Sequence, residues 1–295
     1  MTSVPRATLD EIVTDLDAER AAVLALVESA GHDSWHEPTP AQGWTVRDQV
    51  AHLVASDRLA VTALTDPDRF AQLRQEALPD LAGFEQRARQ VVEADFDEAV
   101  AAWRAVGHEL TCALRGCRPN ARVAWFGPSM SVMSLATARL METWAHGRDI
   151  ADAVGRTLVS TDRLRHVAAL GYRARGYGYH IRGRQPPTSD VRVDLVLPSG
   201  ARWSAGPPQA AQRISGSAED FCLVLVRRRR VVDTTLTVEG PDANEWMRIG
   251  QMFAGPPGDD PPPLRRSART VHRQRAGRSN PAAKQPHSSS RQDVG

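Results

Sequence analysis

Residues 139–149 read Arg139-Leu-Met-Glu-Thr-Trp-Ala-His-Gly-Arg-Asp149. Leu140, Met141, Trp144, Ala145, Ile150 and Val154 recur as a helix requires and predict a largely buried one. Glu142 and His146 are four apart, and Asp149 follows three later. Residues three and four apart share one face of a helix. A carboxylate, an imidazole and a second carboxylate thus share one stripe of about two turns. Glu142 and His146 are candidate ligands of a divalent metal, with Asp149 behind them to orient a ring N–H. The same spacing also occurs on solvated faces as a weak ion pair. The apolar flanks favour the buried reading, in which carboxylates and imidazoles need partners. Two ligands on one helix do not complete a site, so another segment must supply a third.

Towards the N-terminus, Leu9, Ile12, Val13, Leu16, Val23, Leu24 and Val27 mark an amphipathic helix that Gly31 stops. Residues 32–44 form a loop by their Pro38, Pro40 and Gly43, with His32 and His36 expected at the surface. Thr45 offers an N-cap, with Asp48 three residues on, to a helix from Val46 to about Thr62. His52 lies beside its apolar stripe of Val46, Val50, Leu53 and Val54. On periodicity alone it is a satisfied residue at the edge of a core. Residues 65–82 are expected to be broken by Pro67 and Pro79. From Gly83 to Leu114 the helical pattern returns, as one helix or two if Asp95 or Asp97 caps a second, with His108 structural. Trp125-Phe-Gly-Pro128 is a rigid turn that either walls a pocket or plugs the end of a bundle. The helix of the opening stripe runs from Ser131 to about Val154, and Gly155 ends it. About four long helices in residues 1–155 predict a four-helix bundle, which places metal ligands inward on facing helices. His52 can there meet Glu142 and His146. Two imidazoles and one carboxylate with vacant positions make a catalytic-type site, whereas structural sites are closed by four ligands.

Past Gly155 the pattern changes. A helix from Thr161 or Asp162 to about Arg175, strands at Val191–Leu197 and Thr234–Val238, and a returning strand at Ala201–Ser204 are expected. Ser217 caps a helix to about Val226, and Asp242–Phe253 forms a closing helix. Residues 156–255 therefore read as a small α+β domain. Residues 256–295 are Pro/Arg/Ser-rich and poor in large aliphatics, and read as a disordered tail. The formal net charge is +2, but the tail holds eight Lys/Arg and three Asp. The remaining 255 residues hold 29 basic and 32 acidic groups, so no nucleic-acid partner is indicated. Arg227–Arg230 lacks the interleaved aromatics of single-strand binders and reads as a solvated loop or an anion-binding rim. Cys112, Cys117 and Cys222 form no disulfide framework. No apolar run is long enough for a membrane span, and residues 1–13 do not resemble a secretory signal. A cytoplasmic protein is expected.

Gly43-Trp-Thr-Val-Arg-Asp-Gln-Val-Ala-His-Leu53, taken with Met141-Glu-Thr-Trp-Ala-His-Gly-Arg-Asp149, resembles the mycothiol-dependent maleylpyruvate isomerase family of the DinB-like superfamily. The resemblance covers roughly residues 8–155. Trp125-Phe-Gly-Pro-Ser-Met-Ser131 looks like an uncharacterised metal-binding branch, and residues 156–255 more weakly resemble a sterol-carrier-like domain. It implies a zinc-type site from His52, Glu142 and His146, with Asp149 behind it. It also implies mycothiol as thiol co-substrate and a small electrophilic substrate whose carboxylates arginines hold. Arg202, Arg213, Arg227 and Arg248 are all open for that role, and the oligomeric state is not set. Three functions follow: a thiol-dependent isomerase or transferase, a metal-dependent hydrolase of the same fold, or a non-enzymatic protein binding a metal or small ligand.

Overall fold

The computed structural model describes residues 7–92, 95–258 and 261. Helix α1 (Leu9–Ala30) begins at a capping box in which Thr8 and Glu11 satisfy each other's backbone N–H groups. Helix α2 (Val46–Thr65) begins in the same way from Thr45 and Asp48. The segment expected to be broken, residues 65–82, instead holds helix α3 (Pro67–Ala77), and the helical pattern expected from Gly83 opens as α4 (Leu81–Gln90). Asp66 and Asp80 cap them. Pro67 opens α3 at a first-turn position that needs no N–H, so it starts a helix where a break was expected. Asp95 caps α5 (Phe96–Arg115). A short antiparallel pair, β1 (Arg122–Val123) and β2 (Met130–Ser131), brackets the Trp125-Phe126 turn. Ser131 then caps α6 (Val132–Ala153), which carries the opening stripe.

The four long helices α1, α2, α5 and α6 pack as a bundle with two apolar layers. One runs between α1, α2 and α5, around Val23, Leu53 and Trp103. The other begins at Leu16 and Leu140 and continues without interruption into the second half through Leu164, Phe221 and Trp246. Each such side chain contributes about 1.5–3 kcal/mol on burial. Gly147 lets α6 come close to α1, since a Cβ there would lie 2.5 Å from Val23. At the centre, the fully buried carboxylate of Asp57 on α2 meets all three other long helices. It accepts from Arg139 Nε of α6 at 2.8 Å and from Trp103 Nε1 of α5 at 3.3 Å. Arg20 Nε of α1 lies 3.7 Å from it.

The second half holds α7 (Leu164–Arg173), the short α8 (Arg175–His180), β3 (Val191–Val196), β4 (Arg202–Ala205) and β5 (Gln212–Ser217). Then follow α9 (Ala218–Leu225), β6 (Thr237–Glu239) and α10 (Pro241–Ile249). The four strands form one mixed sheet in the order β4-β3-β5-β6. β3 runs parallel to β5, with Val193 opposite Ile214, while the outer pairs are antiparallel. β5 was not expected. It is a central strand with one large apolar residue, Ile214, so it shows no alternation to read. The strand expected from Thr234 starts only at Thr237, because Val231–Asp233 is a 3-10 turn. The closing helix stops at Ile249, ahead of Gly250, and does not reach Phe253.

By its contacts the chain divides into Met1–Pro262 and Pro263–Gly295. The bundle and the α+β half both lie in the first unit. The start of the expected tail is tied down there: Gln251 bonds the Pro256 carbonyl and the Gly258 N–H. The rest of that tail, past Gly258 and Pro261, lies outside the described residues. Among the described residues no helix is long and apolar enough to cross a membrane.

Candidate metal centre

The loop before α2 is held by a bridge between Pro38 and Thr45 and by the Thr39 N–H bonded to the Trp44 carbonyl. This fixes Trp44 over the start of α2, where Gln49 and His52 project. Facing them on α6 are Glu142 and His146. One donor atom from each of His52, Glu142 and His146 lies within 4.8 Å of the other two. His146 Nε2 is 3.1 Å from Glu142 Oε2, and His52 Nε2 is 3.6 Å from the same oxygen. The two rings lie 4.4 Å apart between centroids. Trp44 stacks on His146 at 5.8 Å, and the Arg89 guanidinium sits over the Trp44 indole at 3.9 Å.

The outer nitrogen of each ring is also held. His52 Nδ1 donates to Glu85 of α4 at 2.8 Å. His146 Nδ1 meets Gln49 Oε1. The amide orientation follows from its other end. Thr39 donates its hydroxyl to the Trp44 carbonyl at 2.9 Å, so it accepts from Gln49 Nε2 at 2.8 Å. Gln49 Oε1 is then an acceptor, and His146 carries its proton on Nδ1. Its Nε2 lone pair faces a carboxylate oxygen.

Charge follows the same geometry. Burial, then the positive His52 and Arg228 nearby, lower the His146 pKa to about 4, so the ring is neutral at neutral pH. Burial acts on His52 in the same direction, but the carboxylates of Glu142 and Glu85 outweigh it and raise its pKa. Burial would raise Glu142, yet the two imidazoles beside it hold it well below the usual carboxylate range. Glu85 is only partly shielded from solvent, and His52 and Arg89 lower it against that shielding. The residues fit a divalent cation on two further observations. His52 Nε2 is buried and has no hydrogen-bond partner among the described residues. It and the bare Nε2 of His146 converge on one carboxylate oxygen, and once His52 Nε2 gives up its proton the three make a set of acceptors that a cation between them would satisfy.

Asp149 stands elsewhere than expected. Its buried carboxylate takes three contacts from the half-buried Arg228, the shortest 2.7 Å to Nη2. A full guanidinium at the end of α6 outcompetes a ring N–H for that carboxylate. The position behind His146 belongs to Gln49. Sequence reasoning missed Gln49 and Glu85. Gln49 lies three residues before His52, one turn away on the same helix face, a signal that was there to use. Glu85 sits on a short helix whose placement no spacing announces. His32 pairs with Asp97 at the surface, and His36 and His108 are exposed. All four arginines of 227–230 find local partners: Arg227 on the Arg248 carbonyl, Arg228 on Asp149, Arg229 on Asp152 and Arg230 on Asp233. Arg213 pairs with Asp194, and Arg248 with Glu245.

A helical bundle with a His/Glu/His donor cluster, joined to a mixed four-stranded sheet with helices, defines a candidate metal-centre protein. Residues 16–151 match the model of the mycothiol maleylpyruvate isomerase N-terminal domain, and the chain belongs to this family. Two uncharacterised proteins of Mycobacterium tuberculosis, MT0041 and Rv0036c, are each 45% identical to it over 247 residues. Those residues are 83% of this chain and 96% of each relative. A crystal structure of the mycothiol-dependent maleylpyruvate isomerase superposes with a TM-score of 0.52 at 17% identity, covering 82% of this chain and 98% of the other. A mutant of that isomerase gives the same score at 18% identity. These structures share the fold: a helical region followed by a mixed sheet with helices.

Proposed function

We propose that the protein is a divalent-metal-dependent enzyme, an isomerase or transferase, that brings a low-molecular-weight thiol such as mycothiol to a small electrophile. The observation that carries this is the unpartnered, buried Nε2 of His52, converging with His146 Nε2 on Glu142. His52, Glu142 and His146 would hold the cation, most simply zinc by the nitrogen and oxygen donors offered. A cation there supplies the Lewis acidity that lowers a thiol's pKa, so that a nucleophilic thiolate exists at neutral pH. Gln49 and Glu85 hold the outer protons of the two rings, so both inner nitrogens present lone pairs once His52 gives up its second proton. Trp44 covers both rings and limits water on that side. Three protein donors leave coordination positions for a thiol, as a closed four-ligand site would not.

The test is metal analysis of the full chain and of His52→Ala, followed by calorimetric titration with mycothiol. The parent should hold about one divalent ion per chain, and His52→Ala should lose it while keeping its helical circular dichroism. Mycothiol should bind the loaded parent and not the metal-free one. Equal metal binding by His52→Ala, or thiol binding indifferent to the metal, overturns the reading.

A further inference from the structure

A chamber of about 290 Å³ opens beside the triad, and His52 and Glu142 form part of its wall. Its far walls come from three places. Trp125 and Phe126 face it from the turn after α5, Phe84 from α4, and Met252 and Phe253 from the segment after α10. The aromatic wall is built rather than loose. Trp125 stacks on Phe70 at 5.6 Å and 10°, and Phe126 meets Phe70, Phe84 and Trp125 at 5.3–5.7 Å.

The polar groups of the chamber are almost all spent on the protein itself. Ser56 donates to the His52 carbonyl at 2.6 Å, and Ser134 bonds Ser131 at 2.9 Å. Arg139 is held by the fully buried Asp57, and Arg89 lies on Trp44 and 3.6 Å from Asp48. What remains are two guanidinium nitrogens, Arg139 Nη2 and Arg89 Nε, buried and without a hydrogen-bond partner among the described residues. Against these two committed cations stand two carboxylates, Glu85 and Glu142. A compact dianion would find both guanidinium groups already facing protein carboxylates and Glu85 beside it, with only the metal end of the chamber left to receive charge. An apolar group would find rings and thioethers on several sides.

We propose that this chamber takes the body of the substrate, and that the substrate is an electrophile with one aryl or branched aliphatic group and a single polar handle, not a small dicarboxylate. The proposal rests on the preceding reading that the triad is a metal centre. Arg139 Nη2 and Arg89 Nε are the donors left for a carbonyl or carboxylate oxygen on such a molecule. Specificity then lies in the fit of the apolar body, where the loss of one methylene-sized contact changes discrimination by about tenfold or more.

The experiment separates the two readings. Metal content is measured first, on the full chain and on Ala138→Leu, which narrows the chamber one turn before Glu142 on α6. Both should hold metal alike; a parent without metal sinks the metal-centre reading and not the chamber. The metal-loaded proteins are then titrated with 4-phenylbutan-2-one, an unreactive aryl ketone, and with maleate, following tryptophan fluorescence and heat. The aryl ketone should bind the parent at least tenfold more tightly than maleate, and Ala138→Leu should weaken it about tenfold. Ala88→Leu, on the α4 side of the same chamber, should weaken it as well and guards against a folding defect in the first variant. Maleate binding as tightly as the ketone, or ketone binding unchanged in both variants, overturns the proposal.

Discussion

His52 and His146 face one carboxylate but are tuned in opposite directions. The pKa of His146 lies near 4, while that of His52 is raised above its ordinary 6.5. Ligation needs both inner nitrogens bare. Around pH 6.5 the metal-free protein therefore carries a proton on His52 that a metal must expel, and none to expel from His146. Affinity should fall about tenfold for each pH unit below the His52 pKa, with close to one proton released per ion. Calorimetry in buffers of different ionisation heat measures that number, and a value near two would contradict the split. Gln49→Ala should cost metal affinity about 10–100-fold, the size expected for a residue that fixes a ligand's tautomer. Asp149→Ala should leave affinity close to the parent's and lower the unfolding midpoint, because its partner is Arg228. Equilibrium dialysis and thermal melts on both variants decide the assignment. Glu142, His146 and His52 were legible because helix geometry and facing helices bring those positions together. Asp149 misled because spacing on α6 says nothing of an arginine arriving from residue 228.

At the scale of the element, capping chemistry was readable and pairing chemistry was not. Thr45 with Asp48, Asp95 and Ser131 begin their helices as their sequences suggest. Pro67 was read as a breaker and is a first-turn residue, which only the Asp66 cap before it distinguishes. β5 has no apolar alternation, and its place is set by backbone bonds to β3 and β6. Asp57 was equally hidden, since a lone Asp on an apolar helix carries no sign of the partners that three other helices bring. Asp57→Ala would leave Arg139 and Arg20 buried beside one another without that carboxylate. The expected loss is about 3–5 kcal/mol in chemical denaturation, a large fraction of a typical domain's 5–15 kcal/mol. A loss under about 1 kcal/mol, the size of an exposed ion pair, would show that Asp57 does not hold the bundle together.

Across the whole molecule, composition separated a helical half from an α+β half, and packing joins them. One apolar layer runs from Leu16 to Trp246. Arg228 with Asp149, Arg163 with Glu19 at 2.7 Å, and Arg165 and His166 with Asp15 tie helices of the bundle to the second half. Continuous burial of this kind makes unfolding cooperative. Tryptophan fluorescence and far-ultraviolet circular dichroism should therefore report one coincident thermal transition for the metal-free chain. Two resolved transitions would show that the halves unfold separately. The junction was not legible because none of these pairs shares an element, and each depends on the docking it helps to fix.

One wall of the chamber has a consequence in time. Helix α4 supplies Phe84 and Glu85, yet none of its ten residues is buried. Segments with so few buried anchors open locally at a fraction of the global unfolding free energy. Backbone amides of α4 should exchange with deuterium well before those of α2 and α6, whose faces are buried. The Glu85 bond to His52 makes that opening answer to the metal. Once His52 is a ligand with its outer N–H held by Glu85, exchange in α4 should slow while that in α6 barely changes. Equal α4 exchange with and without metal would show that the wall breathes independently of the centre it screens.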